Sequence, residues 1–270
     1  MKIESLKLVY FSPTGTTKKI IERIAQGINH SSTEIVDITK PEERKKQIET
    51  SENELLIIGV PVYFGRVQTN AIEWLNTIKA CNTPTVCIVV YGNREYDDSL
   101  LELKETTIKK GCIPIACAAY IGEHSFSNSE TPIAVGRPDT DDLRHAESFG
   151  EEIREKIISI PSSRRISDIS VPGKYPYIDM IDSKKKLSSV DFIAVDSNCL
   201  QCGDCAKHCP VGAIDSENSA SVDKDKCILC HACIKICPAN ARKIKNDMIK
   251  NIALRLSETF QVRKEPVFFL

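Results

Sequence analysis

The chain has 270 residues, 41% of them hydrophobic and 27% charged, with a formal net charge of −1. That length accommodates two domains of about 100–200 residues each, and the composition is that of ordinary folded protein. Near-neutral charge gives no reason to expect a nucleic-acid or acidic-membrane partner. The opening residues, MKIESLKLVYFS, hold no apolar segment with a cleavage site, and no run of about 18 apolar residues follows. A cytoplasmic, reducing location without a membrane span is therefore expected. Charge is uneven along the chain. Residues 1–160 carry 19 basic and 24 acidic side chains, whereas residues 161–270 carry 17 and 13. Opposite signs favour docking of the two halves, weakly, because salt screens such charges.

Apolar runs and helical patterns alternate over residues 1–160. Residues 6–11 read as a buried strand, and Thr16–Ile28 places Ile20, Ile21, Ile24 and Ile28 on one helical face. Strands follow at 33–38, 55–60, 85–91 and 113–121. Between and after them come a short polar helix at 41–49, opened by Pro41, and helices at 69–79, 98–110 and 139–160. Five βα units predict an α/β fold with a parallel sheet covered on both faces. In such sheets a ligand sits beyond the carboxyl ends of the strands.

The loop after the first strand is Ser12-Pro13-Thr14-Gly15-Thr16-Thr17. Hydroxyls, free backbone N–H groups and a helix dipole converge there, which suits a phosphate monoester. The alternative is an ordinary helix start, since Ser and Thr are common caps. The loop is neither G-x-G-x-x-G nor G-x-x-x-x-G-K-[ST], so a dinucleotide or ATP is disfavoured.

The S-x-T-G-x-T pattern resembles the FMN phosphate loop of flavodoxins, and residues 1–160 match their order of elements. The resemblance implies a flavodoxin-like, doubly wound five-stranded sheet. It assigns Ser12, Thr14, Gly15, Thr16 and Thr17 to the flavin phosphate. It also implies two further flavin loops, Pro61-Val62-Tyr63-Phe64-Gly65-Arg66 and Gly92-Asn93-Arg94-Glu95-Tyr96-Asp97. Tyr63, Phe64 and Tyr96 are suited to cover isoalloxazine faces, and Asn93 to bond the pyrimidine edge. Gly65 lets the backbone approach flavin N5. Arg66 or Arg94 near the N1/C2 side would favour reduced, anionic flavin. Tyr63 and Phe64 are equally readable as core residues, and Arg66 as a solvated helix start.

After the fifth strand, Glu123-His124-Ser125-Phe126 opens a polar loop at the same sheet edge, placed to form part of a lid. His124 is the candidate proton donor, with a hydrogen-bonded loop histidine as the plainer reading. Asp139 or Thr140 caps the long helix. Cys81, Cys87, Cys112 and Cys117 match no ligand spacing and read as small buried hydrophobes. Residues 161–188, with three Pro and the run Lys184-Lys185-Lys186, read as a linker. The Lys run reads as a solvated face rather than a docking patch.

Eight of the twelve cysteines lie between residues 199 and 237, in two copies of one pattern. Cys199, Cys202, Cys205 and Cys209-Pro210 form one C-x2-C-x2-C-x3-C-P run; Cys227, Cys230, Cys233 and Cys237-Pro238 form the other. Zinc sites do not ask for C-x2-C-x2-C, and disulfides need an oxidising compartment. The pattern resembles the iron–sulfur run of bacterial two-cluster ferredoxins, in which the fourth cysteine of each run ligates the other cluster. The resemblance implies two [4Fe–4S] clusters, held by Cys199, Cys202, Cys205 and Cys237, and by Cys227, Cys230, Cys233 and Cys209. His231 stands where many ferredoxins have Gly; it either bonds near a cluster sulfur or points to solvent. Residues 199–245 carry 7 basic and 5 acidic side chains, whereas free bacterial ferredoxins are usually acidic.

A ferredoxin-like domain is thus expected over 189–245, beginning with a strand at 190–195. A helix and a docking tail follow over 246–270. Met248, Ile249, Ile252 and Leu256 lie at helical spacing, and the apolar end Val267-Phe268-Phe269-Leu270 is expected to dock, between the domains. The whole resembles the ferrodoxin family of flavodoxin–ferredoxin fusions. The function this implies is electron relay between two [4Fe–4S] clusters and FMN, with a ferredoxin-type donor or acceptor at the cluster end. The alternative is an FMN-dependent reductase of a small acceptor such as a quinone, flavin or enone. A redox sensor is the third reading, disfavoured in transcriptional form by the lack of a DNA-binding motif.

Overall fold

The fold is described from a computed structural model, which covers residues 1–161, 168–179, 191 and 193–270. The element order is β1 (Ser5–Tyr10), α1 (Thr16–Ile28), β2 (Thr33–Asp37), β3 (Glu49–Thr50), β4 (Glu54–Tyr63), β5 (Arg66–Val67), α2 (Thr69–Leu75), β6 (Lys79–Ala80), β7 (Thr83–Tyr91), α3 (Ser99–Ile108), β8 (Cys112–Ile121) and α4 (Thr140–Ser159). Then come β9 (Ile193–Val195), α5 (Asp204–Lys207), α6 (Ala232–Lys235), β10 (Arg242–Ile244), α7 (Asp247–Thr259) and β11 (Val267–Phe269).

Strand β7 is buried along its whole length, Thr83 and Thr85 included, as its apolar run from Val86 to Val90 demands of a central parallel strand. The sheet runs β11-β8-β7-β4-β1-β2, with β8, β7, β4, β1 and β2 parallel. This is the flavodoxin-like order, whose direction of winding reverses between β1 and β4. One apolar layer, around Trp74, Leu100 and Leu103, packs under α2 and α3. The other, around Ile20, Ile24 and Phe149, packs under α1 and α4.

All five expected parallel strands form. The polar segment 41–49 forms only a single 3-10 turn, Glu43–Lys45, because nothing there supplies an apolar face. Asp139, not Thr140, caps α4 through a capping box. Cys87, Cys112 and Cys117 are buried, but Cys81 is exposed. It follows β6 in a turn that carries it past the sheet edge.

The tail docks, though not between the domains. Strand β11 pairs antiparallel with β8, Phe268 opposite Ala118, and thereby covers the sheet edge. The Lys184–Lys186 run and most of the linker lie outside the described residues.

The second half is small. Strands β9 and β10 pair antiparallel, and α5 and α6 are single turns that carry the third cysteine of each triplet, Cys205 and Cys233. The internal repeat is visible in the backbone. Gln201 and Gly203 have positive φ in the first copy, and Leu229 and His231 in the second. Among the described residues no helix is long and apolar enough to cross a membrane.

Helices α1 and α4 touch through Gly27 and Gly150. A Cβ on Gly150 would lie 2.1 Å from the Ile24 carbonyl, and one on Gly27 1.9 Å from the Glu147 carbonyl. Gly150→Ala must therefore push the helices apart. It should cost about 1–3 kcal/mol in urea unfolding, read through Trp74, the chain's one tryptophan. An unchanged midpoint would contradict this packing.

Candidate functional site

Beyond Tyr10 the chain turns sharply. Ser12 N–H donates to Thr39 Oγ1 at 2.7 Å, and Ser12 Oγ accepts from Lys18 N–H at 3.0 Å. Gly15 sits at the start of α1 with φ 83° and no side-chain cap. A Cβ there would meet nothing, so the glycine is needed for its dihedral and not for space. Thr17 Oγ1 is buried without a hydrogen-bond partner. An orphaned hydroxyl beside a helix start whose Gly15 offers no cap is what an anion would satisfy.

These residues open onto a cavity of about 390 Å³. Ser12, Thr14, Thr16 and Thr17 line one part of it, and Pro61, Val62, Tyr63 and Phe64 another. Gly92 and Arg94 contribute from the loop after β7, and residues 122–126 from the loop after β8. A Cβ on Gly92 would lie 2.3 Å from His124 Cδ2, so the close approach of the last two loops depends on that glycine.

Several expected flavin residues stand elsewhere. Asn93 is not at the wall; its amide nitrogen donates to the Phe260 and Val262 carbonyls at 2.7 and 3.0 Å, while its Oδ1 is buried without a partner. Tyr96 packs against Tyr91, with ring centroids 5.5 Å apart, in the layer under α3. Gly65 does not line the cavity; it has φ 76°, and a Cβ there would lie 2.5 Å from Asp97 Oδ2. Arg66 forms an ion pair with Glu102 beneath a neighbouring cavity of about 410 Å³. That second cavity shares Tyr63, Phe64 and Leu229 with the first.

His124 does face the cavity. Its Nδ1 accepts from Phe126 N–H at 3.0 Å, which leaves Nε2 as the protonated nitrogen of a neutral ring. Burial, with Lys235 and Arg94 nearby, lowers its pKa to about 4. Phe126 then stacks on His231, centroids 4.7 Å apart. His231 is buried rather than turned to solvent. Its pKa is likewise lowered, to about 3, chiefly by burial.

The eight cysteines fall into two sets. Cys209, Cys227, Cys230 and Cys233 surround one small void, and Cys199, Cys202, Cys205 and Cys237 another. Each set takes three cysteines from one run and the fourth from the other. A single zinc at about 2.3 Å would draw four sulfurs to within about 3.8 Å of one another. Among the described residues no such tight group exists. The first set is dry: burial raises the thiol pKa of Cys227 and Cys230, and that of Cys233 to about 11. Thiolates so placed are stable only beside a cation. A backbone amide already points at one sulfur, Ala213 N–H to Cys209 Sγ at 3.2 Å.

The decisive residue is Cys230. It belongs to the void of the first set and also, with Leu229, to the wall of the 390 Å³ cavity. The remaining side of that cavity is formed by Ile252, Arg255 and Leu256 of α7. These residues were not legible as site residues. The apolar stripe of α7 is plain in the sequence, but a stripe does not say what it covers.

Residues 7–104 match the family described as flavodoxin domain, and residues 198–241 the family described as 4Fe-4S dicluster domain. The chain is a flavodoxin–ferredoxin fusion. As such it is an iron–sulfur flavoprotein of electron transfer. Among similar solved structures, Fusobacterium nucleatum flavodoxin bound to flavin mononucleotide is 14% identical. It covers 56% of the fusion and 98% of its own chain, with a TM-score of 0.39. Oxidised Flavodoxin 2 from Bacillus cereus is 15% identical over 56% and 99%, with a TM-score of 0.40. An NADH:FMN oxidoreductase (EMOB), in its apo form, is 13% identical over 59% and 93%, with a TM-score of 0.42. No curated protein matches.

The His124 shift sets a pH dependence. A ring whose folded pKa lies below its ordinary 6.5 contributes its full stabilisation above 6.5 and loses it as pH falls toward about 4. The fusion should lose up to about 3 kcal/mol over that window from this group. His124→Gln should show a shallower fall in urea unfolding; an identical slope would contradict the buried, neutral ring.

Proposed function

We propose that the fusion relays electrons between a ferredoxin-type protein partner and an FMN held in the 390 Å³ cavity, with a [4Fe–4S] cluster in each cysteine set. The observation that carries this reading is Cys230, a wall of both the cavity and the inner set. When bound, each cluster exchanges one electron and FMN one or two. Ser12, Thr14, Thr16 and Thr17 receive the flavin phosphate through hydroxyls and the start of α1, while Gly15 supplies the turn. Pro61, Val62, Tyr63, Phe64, Gly92 and Arg94 enclose the ring system. Cys209, Cys227, Cys230 and Cys233 hold the inner cluster, and Cys199, Cys202, Cys205 and Cys237 the outer one.

The outer set is the port. Cys202 is exposed, and Leu200 beside it is 70% exposed, which gives a protein partner an apolar contact at the ligand loop. At the other end, Leu229, Phe126 and the Ile252 and Leu256 side chains of α7 give the cavity apolar walls. The neutral His124 offers an Nε2–H donor there, which suits a hydrogen bond to bound flavin better than acid catalysis. One observation favours reduction of a small acceptor as a second reading. The neighbouring 410 Å³ cavity is walled by Tyr63 and Phe64 on one side and by Cys227 and Leu229 on the other.

Anaerobic reconstitution with iron, sulfide and flavin assays tests the reading. The wild-type chain should hold about eight iron atoms and one FMN, and Cys202→Ala and Cys209→Ala about half the iron each. Cys209→Ala should slow flavin reduction by a one-electron protein donor far more than it weakens flavin binding. Full iron content with no flavin retained, even after FMN is added, would overturn it.

A further inference from the structure

Three ionic side chains line the flavin cavity: Arg94, Glu123 and Arg255. Two of them are already neutralised. Arg94 pairs with Asp97, and Glu123 with Lys235 at 2.6 Å. Arg255, on α7, is exposed and has no hydrogen-bond or ion-pair partner among the described residues, and it lines the cavity that the 12–17 loop also lines. The cavity lining therefore carries one uncompensated positive charge, together with hydroxyls of which one, Thr17 Oγ1, is buried and unpartnered.

A phosphate monoester brings about −1.5 to −2 charges near pH 7. The start of α1 offers roughly half a charge, and the loop's hydroxyls offer none. Oxidised FMN has no other anionic group, so phosphate is the charge that Arg255 complements. Resting on the reading of this cavity as an FMN site, we propose that Arg255 is the phosphate-binding cation of the fusion. It is supplied from beyond the ferredoxin-like half and not from the flavodoxin-like half.

The placement gives the pairing a second effect. Helix α7 is anchored by Ile249 in the apolar cluster that contains Leu229 and Ile193, and Ser257 Oγ donates to the Pro132 carbonyl at 2.9 Å. An ion pair from Arg255 to the phosphate therefore ties the flavin to the helix that is packed against the cluster loop. Flavin binding thereby stabilises the docked position of α7.

The test is a fluorescence titration of the cluster-loaded, flavin-stripped chain with oxidised FMN and, separately, with riboflavin, which lacks the phosphate. Arg255→Gln should weaken FMN about tenfold, the size of one charge-assisted hydrogen bond, and leave riboflavin unchanged. Arg255→Lys should fall between. Equal weakening of both flavins would make Arg255 a support of α7 only and overturn the proposal, as would unchanged FMN binding in Arg255→Gln. A wild-type chain that binds riboflavin and FMN equally well also overturns it. A wild-type chain that binds neither overturns the FMN reading itself, and the proposal with it.

Discussion

At the carboxyl edge of the parallel sheet, apolar side chains of the flavodoxin-like half are covered by residues from the other half. Phe64 and Phe126, which project from that edge, pack into the small core formed by Ile193, Leu229 and Ile249. Stacking of Phe126 on His231 extends that contact to the loop between Cys230 and Cys233. This shared apolar cluster is what holds a cysteine loop against a cavity built by another domain. Burial of such aromatics contributes on the order of 1.5–3 kcal/mol each, and the Lys235–Glu123 pair at 2.6 Å and the bond from Arg44 to the Pro210 carbonyl set the register. A half-exposed ion pair adds little stability by itself. Its use here is orientation.

The last residues of the chain complete the enclosure. Helix α7 crosses the cavity, and β11 then adds itself to β8, so the C-terminal segment spans both halves. Its fastenings are polar and specific. Asn93 donates to two tail carbonyls, Arg137 to the Lys264 carbonyl at 3.1 Å, and Arg263 reaches Asp139 at 2.5 Å. Arg137 is itself fixed by a buried pairing with Asp142. A loop that in a free flavodoxin-like domain would face solvent is here occupied in holding the tail.

Most of the sheet was legible from its pattern, because β1, β4, β7 and β8 are predominantly apolar runs bounded by polar and turn residues. The 12–17 loop was legible as a hydroxyl-rich turn between a buried strand and an amphipathic helix, and the structure adds the unpartnered Thr17 Oγ1 that the sequence could not show. The cysteine spacing was legible by its chemistry alone. What could not be read was any contact between halves. Asn93 and Tyr96 have the composition of flavin ligands, yet Asn93 adopts φ 63° and turns its amide to the tail, while Tyr96 finds Tyr91. His231 occupies a left-handed position that favours glycine, and only the docked Phe126 explains a ring there. Arg255 carries no local signal, since an arginine on a helix is ordinarily solvated.

The central claim is that the cluster loop walls the flavin cavity within one chain, so electrons need not pass between molecules. Rapid mixing of the cluster- and flavin-loaded chain with a one-electron donor, followed over a wide dilution series with donor in excess, measures this directly. Flavin should be reduced after the clusters in a first-order phase whose rate is the same at every protein concentration. A rate that falls in proportion to dilution would mean that the flavin is reached only from another molecule, and would contradict the docked arrangement.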